Sequence, residues 1–261
     1  YYPATTAEDL TQAFAAIMDT INDDASKPLV SIAASSSTLE TGLNAYIAGY
    51  DATKWKGSLG VRPINSTTGS IGTKDTWNVA TMLDDKNYKL ANRLVVSYNG
   101  TKGINWKEFD KLPDAQKNKL KLDSSDKVDS KGQERVDYLR GDRTKEASES
   151  GGIFRNRGSR LGDIVNSNIW YTGKPASGYS MNGYYAFRSN ANGGKGGRTP
   201  MVYVGGNDGM LHGFAASNGT ELMAYIPQGI AEGDLRKLTD TNYDHQYFVD
   251  GSPFRSEEHT S

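Results

Sequence analysis

The chain has 261 residues, 36% of them hydrophobic, and that length is enough for one or two domains with a sizeable core. Its formal net charge of -1 excludes a reader of nucleic-acid backbones, because no basic excess is present to neutralise phosphates. With no cysteine, disulfides, zinc ribbons and thiol catalysis are excluded within these residues; no run of about 18 apolar residues offers a membrane-spanning helix.

Residues 6–22 read as a helix. Leu10, Phe14, Ile17 and Ile21 form one apolar stripe, and Thr5 with Glu8 fits a capping box. A helix this short must bury its stripe on a partner, expected upstream, so it reads as the last element of another domain. Asn22 to Pro28 reads as a linker. From Leu29 the period becomes that of strands. Leu43, Ala45 and Ile47 alternate with Tyr46, Ala48 and Tyr50, then a turn over 51–54 leads to Trp55, Gly57, Leu59 and Val61, a hairpin pattern. Trp77 to Leu83 and Arg93 to Tyr98 are further short apolar runs, the second β-branched and strand-like.

Residues 99–135 are long, charged and weakly periodic. The lysines from Lys102 to Lys131 are interleaved with Asp and Glu, so the stretch is expected to be a solvated insertion with short helices near 106–109 and 115–122. A further short helix is expected within 136–150. Residues 151–198 read as loops with strand candidates at Ser167–Tyr171 and Gly183–Phe187. Gly193 to Gly197 reads as a flexible turn, because a phosphate cradle needs a helix after it and none is expected. Residues 201–227 alternate strand, turn, strand, turn, strand, which is the pattern of one propeller blade. No clean second copy of it is visible.

Five blocks carry a family resemblance: Arg135 to Arg143, Phe154 to Arg157, Leu161 to Ser167, Met201 to Phe214, and Tyr247 to Pro253. In their order and spacing they resemble the PilC/PilY family of pilus-associated proteins. The resemblance implies a mainly β fold: residues 28–254 as the N-terminal part of a β-propeller with quinoprotein-like blades and an insertion at about 99–135. It implies that residues 1–27 are the end and linker of a von Willebrand factor A-like domain. Residues 255–261 match one reading frame of a sequencing adapter and are set aside. The implied function is non-enzymatic: type IV pilus assembly and adhesion by an exported protein at the pilus tip, cell surface or outer membrane. Minor pilins are the implied partners, and calcium is expected in a downstream propeller loop, with no cofactor or metal ligand in these residues.

Among individual residues, Arg140-Gly141-Asp142 stands out. On an exposed loop of an exported adhesin it could bind a host receptor such as an integrin. Alternatively Arg140 and Asp142 pair internally, with Gly141 allowing a tight turn. Asp163 lies near several arginines in sequence and is expected to join a carboxylate–guanidinium network. His212 is expected alone in a strand and His245 in a turn, neither as a metal ligand. Asn65, Asn99 and Asn218 open glycosylation-like triplets that read as ordinary turns. Two other functions stay open: a quinone-dependent dehydrogenase, which Val202 to Glu221 also resembles, and a purely structural scaffold.

Overall fold

The computed structural model describes residues 29–35, 42–175, 180, 183–190 and 194–254. The helix expected over 6–22, the linker and the 255–261 tail lie outside the described residues. The fold is mainly β, as expected.

The first sheet is an antiparallel meander of β1 (Leu29–Ala34), β2 (Asn44–Asp51), β3 (Lys56–Pro63) and β4 (Trp77–Asn78). The alternation seen in the sequence sets its two faces. Tyr46 lies opposite Val61 and Ala48 opposite Leu59, all in one core; Leu43, Ala45, Ile47 and Ile64 fill a smaller cluster on the other face. The β2–β3 turn closes where Asp51 Oδ1 accepts from the Thr53 amide and hydroxyl at 3.0 and 2.5 Å. The apolar run at 77–83 is split: after the two residues of β4, Asn78 caps a helix, α1 (Val79–Leu83), by accepting from the Thr81 amide.

The second sheet contains β5 (Val95–Tyr98), β6 (Gly103–Asn105), β7 (Trp170–Thr172), β8 (Met201–Gly206), β9 (Met210–Ala215) and β10 (Glu221–Tyr225). Its order is β6-β5-β10-β9-β8-β7, antiparallel throughout except for the parallel β5–β10 pair. The expected blade at 201–226 is there, and β7 completes it as a four-stranded meander. The β1–β4 sheet is a second such unit, a repeat of architecture that the sequence hides. The two sheets pack face to face: Tyr46, Leu59, Val61 and Trp77 meet Val202, Val204 and Phe214. Each of these large side chains, fully buried, stabilises the packing by about 1.5–3 kcal/mol. At the inner edge the Ile169 amide donates to Ser31 Oγ at 3.1 Å, bringing the approach to β7 against β1.

The insertion is not a solvated decoration. Trp106 is fully buried and its indole N–H donates to Gln116 Oε1 at 3.0 Å, while Gln116 Nε2 donates to the Tyr98 carbonyl. Leu112, together with Leu120 of α2 (Asp114–Leu120) and Val136 and Leu139 of α3 (Gly132–Leu139), packs with it against Val95, Met210 and Ala224. The charges that suggested solvation occupy the outward positions of these short elements. The helix expected within 136–150 instead starts at Gly132 and stops at Leu139. Gly183–Phe187 is not a strand: after Gly183, at φ 94°, comes α4 (Tyr184–Arg188). A last short helix, α5 (Gln228–Ala231), and a 3-10 turn at Leu235–Thr239 close over the insertion core.

Candidate functional site

The charged residues of the C-terminal half converge on the segment that crosses from the insertion to β7. That crossing is tight. The Gly57 amide donates to the Leu161 carbonyl at 3.1 Å, and a Cβ on Gly57 would stand 2.1 Å from the Gly162 carbonyl oxygen. On its other side a Cβ on Gly162 would stand 2.3 Å from the Asp208 amide nitrogen. The crossing is thus wedged between the β2–β3 hairpin of one sheet and the β8–β9 turn of the other, and side chains are excluded at both contacts.

The Arg-Gly-Asp tripeptide ends α3. The Asp142 amide donates to the Asp137 carbonyl at 2.9 Å and the Gly141 amide to Tyr138 at 2.8 Å, with Gly141 at φ 111°, the hydrogen-bond pattern of a Schellman cap. Arg140 is 2% exposed and donates to the carbonyls of Trp106 and Arg93 at 3.0 and 3.1 Å. It does not pair with Asp142, whose carboxylate instead accepts from the Thr144 amide at 2.7 Å. The expected Arg140–Asp142 pair is therefore replaced by backbone capping, and a receptor approaching this loop would meet the Asp142 side chain without the arginine.

From Arg140 a continuous polar chain runs through the second sheet. Arg93 Nη1 donates to the Arg140 carbonyl at 2.8 Å, and its Nε and Nη2 clamp Glu221 at 2.6 and 2.9 Å. Glu221 Oε1 lies 2.8 Å from His212 Nδ1, His212 Nε2 lies 3.1 Å from both Asp208 oxygens, and Asp208 Oδ2 accepts from the Gly162 amide at 2.9 Å. His212 is thus not alone in its strand. Burial by itself would lower its pKa, but the Asp208 charge and the bonds to both carboxylates outweigh that and raise it to about 9. Burial would likewise raise Glu221, yet the Arg93 charge and the hydrogen bonds from His212 and Arg93 hold it well below the usual carboxylate range. Both imidazole nitrogens are engaged by carboxylates, so this histidine holds its proton between Asp208 and Glu221 and offers no lone pair to a substrate.

Asp163 does not join the arginines. Its Oδ2 accepts from Asn207 Nδ2 and lies at 2.8 Å from His245 Nε2, and the His245 ring stacks on Trp55 at 3.6 Å between centroids. The arginines use other partners. Arg157 donates to Glu146, to the Tyr138 carbonyl and to the Asp142 carbonyl; Arg160 donates to the carbonyls of Gly141 and Leu83. Between these groups lies a pocket of about 30 Å³ lined by Trp55, Tyr138, Arg155, Arg157, Asp163 and Tyr243, room for about two water molecules. Among the described residues, no group of three or more His, Cys, Asp or Glu side chains is arranged to hold a metal ion.

Residues 161–259, which contain Asp163, Asp208, His212, Glu221 and His245, match the family model for the PilY1 beta-propeller domain. The chain is 34% identical over 271 residues to the type IV pilus biogenesis factor PilY1 of Pseudomonas aeruginosa strain PAK, covering 97% of this chain and 23% of that protein. The chain belongs to the PilY1 family. A PilY1 homolog of Xylella fastidiosa strain Temecula1 is 31% identical over 259 residues, covering 96% of this chain and 19% of that protein. The chain therefore spans about a quarter of the length of the first of these PilY1 relatives and less of the second. No solved structure matches it. The PilY1 propeller match opens at Leu161, the residue whose carbonyl pins the crossing to Gly57.

Sequence reasoning missed Arg93, Asn207, Asp208 and Glu221, which it had read as strand ends and turn residues. Two signals were available. Asp208 in the β8–β9 turn and His212, four residues on in β9, are at a spacing that brings them together, and Glu221 stands opposite Phe214 on the face that carries His212.

Proposed function

We propose that this chain is a non-catalytic part of a type IV pilus biogenesis protein, in which paired blades form a rigid platform that presents loops at the pilus tip or cell surface for assembly and adhesion. The observation that carries this reading is the use of the buried charges. Arg93, Glu221, His212 and Asp208 are spent on one another and on backbone groups, tying β10, β9, the β8–β9 turn and the crossing into one body. An arrangement of this kind fixes shape and leaves no activated nucleophile or base, which suits a scaffold better than an enzyme. The names of the relatives support the pilus role. The quinone-dependent alternative needs converging polar groups around an aromatic cofactor; among the described residues, the pocket lined by Trp55, Tyr138 and Asp163 is far too small for one, which weighs against that reading.

The test is genetic and enzymatic together. A strain lacking the gene is complemented with the intact gene or with one carrying Val202→Asp, which puts a charge into the core between the sheets. The expected result is loss of sheared surface pilin with Val202→Asp and recovery with the intact gene. The reading fails if pili are unaffected by deletion, or if the purified protein reduces a dye when given quinone cofactor and alcohol substrates.

A further inference from the structure

The connection between β7 and β8 has a composition unlike the rest of the chain. Residues 164–207 contain Lys174, Arg188, Lys195 and Arg198 but no Asp or Glu, in a chain whose net charge is -1. The described part of this connection displays its charges and rings outward. Tyr185 is 84% exposed, and Phe187, Arg188, Lys174 and Lys195 also face solvent. Lys174, Arg188 and Lys195 form no salt bridge among the described residues. The surface nevertheless has a defined backbone. The Lys195 amide donates to the Phe187 carbonyl at 2.5 Å and the Gly196 amide to Ser189 at 2.8 Å, which lays the return leg along α4. That contact explains the glycines: a Cβ on Gly194 would stand 2.4 Å from the Ser189 carbonyl oxygen, and one on Gly196 2.4 Å from that of Arg188. The run is therefore a close backbone approach that holds Lys195 against the backbone of α4, the helix that carries Tyr185, Phe187 and Arg188.

We propose that this surface binds an acidic polysaccharide, a uronate-bearing chain. Unpaired cations without a neighbouring acid select a polyanion, and guanidinium or ammonium groups bind carboxylates through charge-assisted hydrogen bonds. Exposed tyrosine offers a rigid, amphipathic face for the C–H side of a sugar ring at low entropic cost. Two competing partners fit less well. Residues 173–200 contain no Leu, Ile or Val to insert into a lipid surface, and three exposed cations spread over this connection suit one carboxylate per sugar better than the dense phosphates of nucleic acid. The proposal deepens the adhesive reading above and rests on it.

The experiment holds the 261-residue chain on a sensor surface and measures binding of size-defined polyuronate oligomers against salt. Neutral dextran, polyglutamate, a single-stranded oligonucleotide and anionic lipid vesicles are run alongside. Saturable polyuronate binding that weakens with salt is expected. Tyr185→Ser should weaken it about fivefold, and the double variant Arg188→Gln with Lys195→Gln about tenfold or more with a flatter salt dependence. Both should melt like the parent, since the altered side chains are exposed. The proposal is overturned if polyuronate does not bind saturably, if polyglutamate, oligonucleotide or vesicles bind as tightly, or if Tyr185→Ser binds like the parent. Surface pilin in a strain carrying Tyr185→Ser separates the two readings: normal pili with lost polyuronate binding keep both, whereas failure of the polyuronate assay alone leaves the pilus role standing.

Discussion

Glu221 is the residue on which the buried network turns, and replacing it with glutamine is the sharpest perturbation of it. The substitution keeps the side-chain volume and removes the charge that both Arg93 and His212 face. Glu221 and Arg93 have side chains only 2% and 1% exposed, and His212 is completely buried, so water cannot replace the lost partner. Removing one member of such a buried pair costs about 3–5 kcal/mol. For a domain of this size each kcal/mol moves the midpoint by about 2–4 °C, so Glu221→Gln should melt about 6–20 °C below the parent. Tryptophan fluorescence followed through heat and urea denaturation at pH 6 measures it. Pairing Arg93→Met with Glu221→Met should recover much of the loss, because an apolar pair of similar volume removes the unpaired charge. A Glu221→Gln protein within about 1 kcal/mol of the parent would refute this reasoning.

The pH dependence follows from the same cluster. His212 is raised from 6.5 to about 9 in the folded chain, so its contribution of about 3 kcal/mol is fully present below pH 6.5 and lost as pH climbs through about 9. Glu221 is depressed, so its contribution is present above about pH 4.5 and lost as pH falls. Stability against urea should therefore decline from pH 6.5 to 9, and His212→Gln should flatten that decline. Trp106→Ala should cost about 3–5 kcal/mol in urea unfolding if the insertion is core, and under 1 kcal/mol if it were a solvated loop. Gly57→Ala forces the Gly162 carbonyl away and should cost about 1–3 kcal/mol, with raised amide exchange at 159–163. Asp142→Ala should melt within about 1 kcal/mol of the parent while Arg140→Ala loses about 2–4 kcal/mol, and equal losses would contradict the capping geometry.

Much of the β architecture was legible because strand faces repeat every two residues. The alternation of Ala45 and Ile47 with Tyr46 and Ala48 separates two cores, but the turns are displaced from their expected bounds: the first covers 52–55 and takes in Trp55, at φ 46°, and the second is only 207–209, because Gly205 and Gly206 still pair within β8. The insertion was misjudged for a physical reason. Trp106, Leu112 and Leu120 are spaced too irregularly to give a period, and lysines that face water masked a stripe that faces the sheet. Gly183–Phe187 looked like a strand because its aromatics favour one, but after Gly183 at φ 94° the chain closes into a single helical turn. The second blade escaped notice since β1 and β7 share a position without sharing residues. The charge network was the least legible part. Arg93 and Glu221 are 128 positions apart, and only the parallel pairing of β5 with β10 brings them together.

The central claim is that this chain serves pilus biogenesis as a rigid platform whose buried charges are structural. The measurement that tests it most directly is sheared surface pilin in strains whose only copy of the gene carries Asp142→Ala, Gly57→Ala or Glu221→Gln, set against the unfolding free energy of each purified chain. The account predicts that pilin yield falls with stability, nearly intact for Asp142→Ala and lowest for Glu221→Gln. Full piliation with Glu221→Gln despite its lost stability, or abolished piliation with Asp142→Ala at parental stability, would contradict it.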